Sequence, residues 1–142
     1  MSAVITPIAP APEPASATAY RAGACNIGPY EIRRRRASGL LGVGVAVVFG
    51  VVLVATGAPA FARLLVLFPL WGGLISLLQA HRRFCVGFAV AGIANLADDA
   101  AGRVSVSQED RAANLAASRR LVLDALLIAA PVAVGFSLLG LV

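Results

Sequence analysis

The sequence predicts an all-α integral membrane protein. The expected architecture is a bundle of three transmembrane helices, about 37–57, 60–80 and 121–142, with a short interfacial or re-entrant helix over 84–97. Three observations lead there. Of 142 residues, 59% are hydrophobic and 13% charged, with a mean hydropathy of +0.85, whereas soluble domains average about 45–50% and about 25%. A domain of this size leaves much of its chain at the water boundary and has no interior large enough to hide that surface. The apolar residues also fall into long uncharged runs, and arginines bracket the runs.

Residues 1–24 hold Pro7, Pro10, Pro12 and Pro14 among alanines, a composition that cannot form a packed core and is expected to be disordered. The prolines interrupt any apolar leader region, so no secretory signal is expected there. The second segment, 25–97, begins with Cys25, Asn26 and Gly28, then Glu31 and the basic run Arg33, Arg34, Arg35 and Arg36. From Ala37 to Gly57 there is no charge, and eleven of the residues are Val, Leu or Phe. Twenty-one residues at about 1.5 Å each cover about 31 Å, enough to cross a hydrocarbon core. Pro59 biases the residue before it away from helix, which makes Gly57–Ala60 a turn. A second apolar run, Phe61 to Ala80, then returns to His81, Arg82 and Arg83.

Phe84 to Ala97 is apolar but about 21 Å long as a helix, too short to cross. It is read as interfacial, re-entrant or buried against the hairpin. Residues 98–107 are a polar loop, and Ser107 with Asp110 three places on marks a helix start. From there one long helix is expected to run through Arg119 and Arg120 into the apolar stretch Leu121–Val142, kinked at Pro131. Orientation follows from the basic residues, all twelve of which are arginine. Arg33 to Arg36, Arg82, Arg83, Arg119 and Arg120 fall on one side of a three-span topology, with Arg63 alone opposite. The positive-inside bias then places the N-terminus in the cytoplasm and the C-terminus outside.

Few residues suggest chemistry. Cys25 and Cys85 both fall at the arginine-rich edge. They can be read as a thiol site in which basic neighbours favour the thiolate, or as two small apolar residues at helix ends. Neither belongs to a Cys-x-x-Cys pair and there is one histidine, His81, so no metal or cofactor is expected. Asp124 lies about one turn inside the third span with Arg120 four residues before it, the spacing of a local ion pair. Small residues recur every four positions at Ala125, Ala129, Ala133 and Ser137, with Ala46 and Gly50 in the first span and Gly72 and Ser76 in the second. Such faces let helices approach closely in lipid, within one bundle or between subunits. The arginines form no stripe with interleaved aromatics, so nucleic acid is not an expected partner.

Asn26, Gly28, Glu31, Arg35 and Gly39 follow the spacing that opens a known membrane hairpin, and Cys85 and Gly92 follow the spacing that closes it. Over about 25–95 the chain resembles the small transmembrane hairpin domain found alone or beside rhodanese domains in bacterial inner-membrane proteins. It departs from that pattern at Val86, where a proline is usual, and at Ile32, where an arginine is frequent. The resemblance implies a bacterial inner-membrane location and frequent self-association. It does not imply sulfurtransferase activity, since in that family the rhodanese domain carries the catalytic cysteine. The expected function is therefore a non-enzymatic one: self-association, or service as an accessory subunit of a larger membrane complex. Thiol chemistry at Cys25 and Cys85 is one alternative, and a small transporter or channel built around Asp124 is another.

Overall fold

The computed structural model describes residues 20–139. Most of the expected N-terminal tail lies outside them. Its last residues, Tyr20–Ala24, belong to the packed chain: the Arg21 and Cys25 backbones pair across a turn. Helix α1 runs Pro29–Ala55, with Gly28 as its N-cap and Pro29 in the first turn, where a missing N–H costs nothing. It starts eight residues before the uncharged run, so the four arginines extend the helix beyond its apolar part. Gly57, at φ +66°, makes the turn after it.

The return helix is built in pieces: α2, Ala60–Arg63; a 3-10 turn, Leu64–Val66; and α3, Leu67–Arg82. Pro69 explains the tightening, because its ring would clash with the carbonyl of Leu65 in an α-helical turn. The long final helix α5, Gln108–Leu138, starts where the sequence places it: Ser107 is the N-cap and its hydroxyl accepts from the Asp110 N–H at 3.3 Å. It continues through Pro131.

These three helical stretches, 29–55, 60–82 and 108–138, are each long and apolar enough to cross a membrane. Away from the arginine-bearing ends their outward side chains are apolar, with Leu41, Phe61 and Leu127 each at least 70% exposed. A surface of that kind is matched to lipid.

Helix α3 is the centre of the bundle. Against α1 it packs through glycine: a Cβ on Gly42 would lie 2.8 Å from the Gly73 Cα, and one on Gly39 would lie 2.6 Å from the Leu77 Cγ. The seam therefore uses Gly73 and not Gly72, which is exposed and has no neighbour within 4 Å of a Cβ. The other side of α3, the 3-10 turn and α2 receive α5. Ala125, Ala129, Ala133 and Ser137 are all buried there, so that stripe is used inside the molecule.

The region between α3 and α5 corrects the expected 84–97 helix. Only Val86–Ala91 is helical (α4), because Gly92 enters the left-handed region at φ +69° and ends it. Ile93–Asn95 then forms strand β1, paired antiparallel with β2, Arg103–Ser105. The expected polar loop thus holds half of a hairpin. Ile27 pairs in parallel with Asn95 on the other side of β1.

Candidate functional site

The arginine-rich end of the bundle carries a small polar cap made from residues 20–28, α4, the β-hairpin and the first turns of α5. Its keystone is the end of α3. Arg83 adopts a left-handed conformation, φ 53° and ψ 35°, and its N–H bonds back to the Gln79 carbonyl. A non-glycine residue there costs roughly 1–2 kcal/mol. The conformation presents the Arg83 carbonyl to two N–H groups of the incoming chain, those of Asn26 at 3.1 Å and Ile27 at 3.3 Å. The Gln79 side-chain oxygen accepts from the Val86 N–H at 3.1 Å and so anchors the start of α4.

Between these anchors sits Cys85, with none of its surface exposed. The Asn26 amide grips its backbone twice: Oδ1 accepts from the Cys85 N–H at 2.6 Å, and Nδ2 donates to the Cys85 carbonyl at 3.0 Å. An amide side chain has both groups needed for that reciprocal pair. The Arg35 Nη2 donates to the Cys85 Sγ at 3.0 Å. Glu31, one turn before Arg35 on α1, is fully buried, and neither carboxylate oxygen has a hydrogen-bond partner among the described residues. The Arg35 Nε is buried and unpartnered in the same way.

Two glycines fit the cap together. The Gly28 N–H donates to the Asn95 carbonyl at 2.7 Å, and a Cβ at Gly28 would collide with the Leu96 backbone. The Gly92 carbonyl accepts from the Val106 N–H at 2.9 Å, which starts the hairpin pairing. Thus Asn26, Gly28, Glu31, Arg35, Cys85 and Gly92, spread over more than sixty positions, belong to one cap and its immediate supports. Gly39 lies a helical turn deeper, in the α1–α3 seam.

Cys25 is also buried, at 4% exposure, and both cysteines are free thiols. Asn26, the residue after Cys25, grips the Cys85 backbone. Arg33, Arg34, Arg36, Arg82, Arg83, Arg119 and Arg120 are exposed around the rim, as is His81.

The expected Arg120–Asp124 pair is not formed. Asp124 instead meets Arg82 of α3, Nη2 to Oδ2, at 2.7 Å. The order explains it, since a cation four residues before an acid is the poorer helical arrangement. Packing of α5 on α3 meanwhile brings a second guanidinium alongside.

Sequence reasoning overlooked three buried amides. Asn95 orders the hairpin turn by donating to the Asp99 carbonyl at 2.8 Å and accepting from the Ala97 N–H at 3.1 Å. Asn114 of α5 accepts from the Gly23 N–H at 2.8 Å and donates to the Tyr20 hydroxyl at 3.1 Å, pinning the start of the packed chain. Gln79 is the third. The available signal was an isolated amide inside an apolar run, as at Gln79 and Asn95.

Fold and cap together define a small helical membrane protein of three candidate spans with a closed polar cap at one end. Compared with protein-family models, curated proteins and solved structures, the chain matches none. Among the described residues, no three His, Cys, Asp or Glu side chains are grouped to hold a metal ion.

Proposed function

We propose that the chain is a non-enzymatic protein of the bacterial inner membrane that associates laterally with its own copies or with a larger membrane complex. The observation that carries this reading is a groove of about 520 Å³ in the half of the bundle away from the cap. Helices α1 and α5 form its walls through Val47, Val51, Val132 and Phe136, and Val66 and Leu70 form its floor. The lining is apolar, with Val47, Val51 and Val132 exposed along it and the small residues Ala46 and Gly50 buried at its base. The polar groups of the cap support the same reading, because most are spent on backbone hydrogen bonds that close it.

Blue native electrophoresis after mild detergent extraction tests the proposal. The wild type should migrate above its monomer mass. Val47→Trp and Val132→Trp, at positions 61% and 55% exposed, should fill the groove and shift the band down. Migration of the wild type as a monomer alone would overturn the reading.

The Arg35 contact favours a second reading, in which Cys85 is a redox or sulfur-handling thiol, since basic donors beside sulfur are the usual setting of reactive cysteines. Maleimide labelling in native membranes separates the two. The non-enzymatic reading expects Cys25 and Cys85 to react only after unfolding in detergent, and the thiol reading expects Cys85 to react in the folded protein.

A further inference from the structure

At the level where the cap meets the bundle, a cleft of about 310 Å³ opens between the Gly23–Ala24 turn, the end of α3 and α5. Its accessible apolar lining is Ala24 and Ala117, packed over the buried Phe84 and Leu121, and Arg82 and Arg120 complete the rim. Asp124 pairs with Arg82. Arg120 has no hydrogen-bond or ion partner among the described residues and stands on the rim, exposed. The cleft therefore combines an unneutralised cation, an apolar lining, and a position beside the outward apolar face of α5, where Leu123 and Leu127 are exposed.

We propose that this cleft is a binding site for one anionic phospholipid. Arg120, with Arg82 beside it, takes the headgroup phosphate, and the first methylenes of an acyl chain lie against Ala24 and Ala117. A guanidinium fork matches phosphate oxygens geometrically, and basic pockets between transmembrane helices are suited to anionic headgroups. A free phosphate would satisfy the rim and leave the apolar lining uncovered. A phospholipid covers both, and the bilayer supplies it at the right depth. Asp124 sets the strength of the site, because it neutralises one of the two rim charges. The inference stands apart from lateral association, since it concerns a different face and a different partner.

The test is native mass spectrometry of the full chain released from nanodiscs of phosphatidylcholine mixed with phosphatidylglycerol. The wild type should retain one phosphatidylglycerol in preference to phosphatidylcholine. A charge near an anionic surface is worth roughly 1 kcal/mol, so Arg120→Gln should lower that preference about fivefold. Asp124→Asn releases Arg82 and should raise it by a similar factor. Arg34→Gln, which removes the same charge from the same end of the bundle but outside the cleft, should leave it unchanged. The site is overturned if the wild type shows no preference, if Arg120→Gln and Arg34→Gln act alike, or if Asp124→Asn has no effect. Displacement of the lipid by millimolar inorganic phosphate would equally overturn a phospholipid as occupant.

Discussion

Asn26 shows how much of the cap depends on one side chain. It is fully buried, its amide pairs with both the N–H and the carbonyl of Cys85, and its own backbone bonds to Arg83 and Asn95. Replacing it with alanine would leave the buried Cys85 N–H without a partner, at about 1–3 kcal/mol, and the Cys85 carbonyl with the Ala89 N–H alone. Asn26→Ala should lower the thermal midpoint in detergent and make Cys85 accessible to maleimide before global unfolding. Asn26→Asp keeps the acceptor to the Cys85 N–H but turns the donor into a second acceptor, so it should recover only part of the loss. Unchanged stability and labelling in Asn26→Ala would mean that the clamp does not hold the cap. The resemblance to a membrane hairpin domain marked Asn26, Arg35 and Cys85. It could not indicate that Asn26 and Arg35 both meet Cys85, because those contacts join positions fifty or more residues apart. Asp124 carries the same lesson. Spacing offered Arg120, and tertiary packing supplied Arg82, whose partner could be found only by knowing which face of α5 meets α3.

The helices were the legible part. An uncharged run as long as the bilayer is thick has few alternatives, and Ser107 with Asp110 located the start of α5. The elements that escaped are those set by single residues in short stretches: α4 stops at Gly92, and β1 and β2 are three residues each. No hydrophobic period develops over so few positions. Small-residue spacing points to Ala125, Ala129, Ala133 and Ser137, which are buried on α5, and to Gly72 on α3, where the seam uses Gly73. Both Gly72 and Gly73 allow close approach in composition, and only the direction of the neighbouring helix selects between them. That choice is testable. Gly73→Leu should force α1 and α3 apart and destabilise the folded protein by several kcal/mol, since the obstructing atoms at Gly42 and Val43 are backbone. Gly44→Ala, on the same helix as Gly42 but with nothing within 4 Å of the new Cβ, should be neutral or slightly stabilising. Resistance to unfolding in graded SDS measures both. Equal behaviour of the two variants would count against a glycine seam.

For the molecule as a whole, the fold keeps most of the arginines at one end of the bundle. Arg82 reaches α5, Arg111 donates to the Val90 carbonyl at 3.3 Å, and Arg103 lies over the Phe88 ring at 5.6 Å. With the Arg83 carbonyl accepting from the Asn26 and Ile27 N–H groups, these contacts gather the basic residues at the capped end. Arg63 is on the far side of the hairpin, where its Nε donates to the Ala58 carbonyl at 3.0 Å. A positive-inside bias acting on this arrangement would hold the cap in the cytoplasm and send the end of α5 outward. Green fluorescent protein at the N-terminus should then fluoresce, alkaline phosphatase after Val142 should be active, and phosphatase inserted after Gly102 should be inactive. Glutamine at Arg33, Arg34, Arg35 and Arg36 probes the balance further. The connection between the second and third spans keeps six arginines against the lone Arg63, so the three reporters should keep their pattern. Because Arg35 also holds Cys85, that variant should loosen the cap without turning the protein over. Phosphatase activity after Gly102 in the wild type would place the cap outside and reverse the orientation. Reporters showing both termini on one side would instead remove one of the three spans from the membrane.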